Sequence, residues 1–129
     1  MAAHELLTTD ELGLLRRGLL EWAGPARCSD ELAFGMGFNG MQDMIDQCRR
    51  LRAALGDGTP LAAADWARIL LATEIVFVSD LAGSGVEWST TTGFSDASTI
   101  RTLRAVQRKL AGAVGPYYGK RASGPLASS

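Results

Sequence analysis

Apolar residues recur at helical spacing along most of this 129-residue chain. Leu12, Leu15, Leu19 and Trp22 repeat every three to four positions. They follow Thr8-Thr9-Asp10-Glu11, where Thr8 and Glu11 have the spacing of a capping box and the acids fall in the first turn. A first helix is expected there, stopped by Gly24-Pro25. Ser29 stands where an N-cap would and Gly37 where a left-handed stop would, which predicts a short helix between them. Asn39 and Gln42 read as a second capping box. It opens a helix to about Leu55, with Met41, Ile45, Cys48, Leu51 and Leu55 on one face, and GDGTP (56–60) breaks it. From about Ala62 to Ala82 there is no Pro or Gly. Trp66, Ile69, Leu70, Ile75, Phe77, Val78 and Leu81 leave that stretch almost no polar face, the pattern of a central, buried helix. Its β-branched piece IVFV suits a strand, but the unbroken length favours a helix. Ser95 caps a last helix over about 96–111, with Ile100, Leu103, Val106 and Leu110 facing inward. The expected fold is all-α, with five to six helices.

The pattern also recurs on a longer scale. When Glu31–Leu55 is laid over Glu87–Leu110, Gly37 falls on Gly93, Phe38 on Phe94 and capping Asn39 on capping Ser95. One extra residue brings Ile45, Cys48, Leu51 and Leu55 onto Ile100, Leu103, Val106 and Leu110. The preceding helices align as well, Asp10 on Asp65 and Trp22 on Phe77. The chain therefore reads as one helical domain over 1–111, built from two units at about 8–55 and 61–110. Each unit is too small to bury its own apolar face, so the two are expected to pack with pseudo-twofold symmetry. Residues 112–129 are rich in Gly, Pro and Ser, and are expected to form a mobile or surface-laid tail.

Composition narrows the function more by exclusion. With 47% apolar and 21% charged residues the chain is globular. The net charge of −1 argues against a strongly basic nucleic-acid binder. Charge is uneven, −3 over residues 1–60 and +2 over 61–129, a modest dipole able to orient a partner. Eleven of the 13 basic residues are Arg, and with abundant Ala and Gly this points to a GC-rich bacterial coding bias. Cys28 and Cys48 form no CxxC pattern; without a secretory signal they are expected to be free thiols in a reducing cytoplasm. The longest apolar run, residues 69–78, is interrupted by Glu74 and too short to span a bilayer, so no membrane partner is expected.

The candidate chemistry is sparse. Gly83-Ser84-Gly85 invites a phosphate-loop reading, but no Lys follows, and Trp88 stands where a dinucleotide fingerprint needs its third Gly. A helix stop and a flexible joint explain these glycines better. The only histidine is His4, in the N-terminal arm, and no spacing suits a metal. No catalytic, cofactor or metal residue is therefore assigned. Glu74 stands out, as a carboxylate inside an apolar helix that must be paired, hydrogen-bonded or protonated. It is expected to pair with Arg101 or Arg104 of the last helix or to point at solvent between the two units, with a general acid–base role as the sharper alternative. Asp80 lies near the joint, off the same helix face. Trp88 follows the Gly-Ser-Gly and either plugs the interface between the two units or anchors a partner. Arg101, Arg104 and Arg108, at i, i+3 and i+7, form a basic stripe to which Lys109 adds. TTTGFSDASTIRTLR (90–104) resembles the turn of a helix-turn-helix, which makes a nucleic-acid-binding regulator the second reading. Against it, the apolar position after Ser95 comes one residue late. Asp96 also occupies the start of the would-be recognition helix.

The unit E-[LW]-xxxx-GF-[NS], read at Glu31 and Glu87, precedes a capped helix in both copies. Together with LLATEIVFVSD (70–80) ahead of VEWSTTTG, it resembles small, uncharacterised bacterial helical proteins over residues 8–110. That resemblance implies no enzyme activity, no cofactor and, as one form, an immunity-like role beside secreted toxins. The leading expectation is a cytoplasmic interaction protein whose partner is another protein or a second copy of itself. Glu74, Asp80, Trp88, Arg101, Arg104 and Arg108 are its candidate contacts.

Overall fold

A computed structural model describes residues 3–24 and 26–119, and over these the chain is helical with no strand. Six α-helices follow in order: α1 Thr9–Glu21, α2 Asp30–Gly35, α3 Met41–Asp57, α4 Ala63–Val78, α5 Trp88–Thr92 and α6 Asp96–Val114. Short 3-10 turns lie at Ala3–Leu6, Gly85–Glu87 and Gly115–Tyr118. The expected all-α class is the one observed.

Local caps explain most of the starts. Thr8 and Glu11 form the reciprocal box predicted for α1, at 3.1 and 2.9 Å. Ser29 caps α2 through Leu32 N, and Ser95 caps α6 through Ser98 N. The start of α3 differs from expectation. Its N-cap is Gly40, which offers no side chain, and Asn39 and Gln42 do not form a box. Asp30, at the start of α2, reaches across to accept from Met41 N at 2.8 Å, and Asp43 accepts from Asn39 N. The cap is tertiary, so it also fastens α2 to α3.

One apolar core joins all six helices. Helix α1 packs on α3, α4 and α6, whereas α4 packs chiefly on α1 and α6. At the α1–α4 crossing a Cβ on Gly18 would lie 2.6 Å from Thr73 Oγ1, so glycine there sets how closely the helices approach. Trp22 closes the far end of α1 by donating its indole N–H to Ala72 O at 3.1 Å. The order long helix, short helix, long helix occurs in both halves, and Gly37 and Gly93 both take left-handed φ values. The joints are nevertheless built differently and the packing is unequal, so a twofold relation remains a reading of the sequence.

Several apolar positions lie elsewhere than expected. Met44, not Met41, is buried on α3, and Met41 is exposed. Thr99 takes the inward place on α6 while Ile100 is exposed. Helix α4 stops four residues early, leaving Val78 and Leu81 in solvent. Helix α6 runs on to Val114 and the 3-10 turn reaches Tyr118, so the ordered chain extends past 111. Pro25, the His4 side chain and the tail from residue 120 lie outside the described residues. Both cysteines are free thiols. Cys48 is buried on α3, and burial, followed by the neighbouring Cys28, pushes its thiol up to about 12. Among the described residues no helix is long and apolar enough to cross a membrane.

Candidate functional site

The joint between α4 and α5 is tied at nearly every turn. At Ser79 the backbone becomes extended, and its Oγ accepts from Leu81 N and Ala82 N at 3.2 and 3.0 Å. Gly83 N donates to Ser79 O, and Ser84 N reaches back to Val76 O at 2.7 Å, satisfying a carbonyl that the end of α4 leaves open. That return brings Gly83 against the helix backbone. A Cβ there would lie 2.5 Å from both Val76 Cα and Val76 O, so only glycine fits. Gly83 is thus a contact point rather than the expected helix stop, and the joint is fastened rather than flexible. Asp80 is part of the fastening, since its Oδ1 accepts from Val86 N. Arg27 N, in the connection after α1, donates to Ala82 O at 2.6 Å.

These ties hold three apolar side chains in solvent. Leu81 is 95% exposed, Val86 77% and Val78 69%. Trp88, expected either to plug the interface between the two units or to anchor a partner, is fully buried. Its ring meets Phe77 edge-on at 5.4 Å, and its indole N–H donates to Thr99 Oγ1 at 2.9 Å. It is a plug in the core and touches nothing outside.

A residue that the sequence did not single out anchors the joint from below. Glu21, at the end of α1, is 1% exposed. Its Oε1 accepts from Ser84 Oγ at 2.7 Å and Thr91 Oγ1 at 2.8 Å. Arg17 Nε lies 3.3 Å from Oε2, an ion pair rather than an aligned hydrogen bond, and the same guanidinium donates to Thr91 O. The hydroxyl run 89–92 thus works inward. Thr91 serves Glu21, Thr92 Oγ1 donates to Trp88 O, and only Ser89 and Thr90 face solvent. The i, i+4 spacing of Arg17 and Glu21 was the readable signal.

Glu74 lies one helical turn before Val78 and is half-buried. Neither Arg101 nor Arg104 pairs with it. Gln107 Nε2 donates to Oε2 and Tyr118 OH to Oε1, both at 2.7 Å. The carboxylate borders an open cavity of about 200 Å³ lined by Leu70, Gln107, Ala111, Val114 and Tyr118. Burial, then the hydrogen bond to Glu74 and its negative charge, push the Tyr118 hydroxyl well above its ordinary value. Among the described residues no cation forms an ion pair with Glu74.

Arg101, Arg104 and Arg108 are exposed and fall within about 60° of arc on α6. No acid pairs with them among the described residues, and Arg104 makes one long contact, 3.4 Å, to Gln107. Lys109 does not extend this stripe, because it turns to Glu11 on α1 at 2.7 Å. Burial acts to raise the Glu11 carboxyl, but the Lys109 ammonium and the Thr8 hydrogen bonds outweigh it and hold the group below its ordinary value. Among the described residues no three His, Cys, Asp or Glu side chains converge as a metal ion needs. No family model, no curated protein and no solved structure matches this chain.

Proposed function

We propose that this protein is a non-enzymatic interaction module of the bacterial cytoplasm, and that the joint over residues 78–86 is the surface its partner meets. The observation that carries this is Leu81, held 95% exposed between Val78 and Val86 on a backbone hydrogen-bonded at Ser79, Asp80, Ala82, Gly83 and Ser84. Apolar side chains held in water by a fixed loop gain nothing for the isolated fold, and burying them against a partner recovers about 25 cal/mol per Å². An immunity or antitoxin role is the specific form favoured by the resemblance to small bacterial helical proteins. A second copy of the chain is the other partner the patch suits.

A second reading rests on the stripe Arg101, Arg104 and Arg108, which no acid pairs with among the described residues and which suits the phosphate backbone of a nucleic acid. An acid–base role for Glu74 has less support. Both of the Glu74 oxygens already accept hydrogen bonds from neutral side chains, Gln107 and Tyr118.

One set of variants separates the first two readings. Leu81→Asp/Val86→Asp replaces exposed side chains only, so its melting curve should match the parent's. It should abolish self-association in sedimentation, or abolish recovery of a named protein co-purifying from the native host. Arg101→Ala/Arg104→Ala should leave both unchanged. The interaction reading fails if the joint variant keeps every partner of the parent. The nucleic-acid reading takes its place if the parent shifts duplex DNA in a salt-dependent way and the arginine variant does not.

A further inference from the structure

The carboxylate of Glu74 has an unusual set of neighbours. Each of its oxygens accepts one hydrogen bond, from neutral Gln107 and neutral Tyr118, and no ion pair balances its charge among the described residues. A carboxylate has about four acceptor positions, so one on each oxygen is still open. Beyond it lies the cavity of about 200 Å³, whose other walls are the apolar Leu70, Ala111 and Val114 and the ring of Tyr118. The five ion pairs among the described residues lie elsewhere, on Glu11, Glu21, Asp46 and Asp65. A negative charge at the rim of an apolar hollow selects a ligand with the opposite arrangement, a cationic head on a short hydrocarbon stem. The volume is below the roughly 300 Å³ at which drug-sized pockets begin, which restricts the stem to a few carbons. An ammonium brings three donors and fits the open acceptor positions, and an aromatic wall adds further attraction for a cation.

We infer that the Glu74 cavity is a binding site for a primary ammonium group on a short apolar stem. Glu74 receives the ammonium, and Leu70, Ala111 and Val114 receive the stem. The chemistry is shared by a free alkylamine and by a lysine side chain presented on another protein. The site does not depend on the joint. Loss of partner binding in the Leu81→Asp/Val86→Asp variant and loss of amine binding in a Glu74 variant would be separate results.

The test is a titration of the intact chain, followed by the side-chain amide signal of Gln107 and the backbone amide of Ala111, at constant ionic strength. The probes are n-butylamine for the free amine, Nα-acetyl-lysine-N-methylamide for the lysine side chain, and n-butanol as the neutral counterpart. Saturable binding with a Kd of about 1 mM is expected for a ligand of this size. Glu74→Gln, which keeps the shape of the side chain, should weaken it about tenfold or more, and n-butanol should bind no better than to that variant. Ala111→Leu fills the hollow from an exposed helix position and should remove binding with Glu74 intact. Tighter binding of the lysine probe assigns the site to a protein ligand; binding of butylamine alone assigns it to a small molecule. The proposal is overturned if neither amine shifts these signals, if butanol binds as well as butylamine, or if Glu74→Gln binds butylamine as the parent does.

Discussion

Burying a carboxylate is costly unless its partners keep the charge stabilised, and Glu21 has three of them. Ser84 is the simplest to remove, because its hydroxyl does nothing except donate to Glu21. A hydrogen bond to a charged group contributes about 1.5–3 kcal/mol, so Ser84→Ala should lower the stability by that amount in urea denaturation. Ser89→Ala, five residues on and exposed, should stay within about 0.5 kcal/mol of the parent. Equal effects for the two would mean that Glu21 is not held by Ser84. Only the Arg17 contact is local in sequence. Glu21 lies 63 residues from Ser84 and 70 from Thr91, and no periodicity links positions so far apart. Glu74 was recognisable as an odd charge in an apolar helix. Its partners were not, since Gln107 and Tyr118 are neutral and the second lies in a stretch that composition marked as tail.

Between elements, two glycines govern close approaches of different kinds. At Gly18 the obstacle to a Cβ is the side chain of Thr73, and at Gly83 it is the backbone of α4 at Val76. Gly18→Ala and Gly83→Ala should each cost roughly 1–3 kcal/mol, as overpacking does. Only the first has a side chain that can be trimmed. Thr73→Ala should recover much of the loss in Gly18→Ala and none of it in Gly83→Ala, which a double-mutant cycle in urea measures directly. Rescue of Gly83→Ala by the same change would refute the assigned contact. The helix starts divide along similar lines. Thr8, Ser29 and Ser95 cap the chain three residues ahead and were legible. Asp30 caps Met41 from eleven residues away, whereas Asn39 was assigned the role from its capping-box spacing to Gln42. The end of α4 was misplaced because apolar residues continue past it. Leu81 looks like core until Ser79 turns the chain and sends it outward.

At the scale of the molecule, the Glu11–Lys109 pair fastens the start of α1 to the far half of α6. Folding lowers the affinity of Glu11 for its proton, so the unfolded chain binds that proton more readily. The stabilisation is therefore complete above the ordinary value of 4.5 and is lost as pH falls through the lower folded value. Lys109→Met should be less stable than the parent at neutral pH, and its urea midpoint should decline less steeply on acidification below pH 4.5. Parallel curves for the two proteins would exclude this linkage. The fastened joint has a consequence for association as well. A recognition segment that is disordered when free must give up its backbone freedom on contact, which weakens binding and couples it to folding. Here the residues around Leu81 gave up that freedom when the chain folded, with Ser84 bonded to Val76 and Glu21 beneath them. A partner at this surface would meet a template already set in shape, and its residence time would be governed by the fit of the contact rather than by the ordering of a loop.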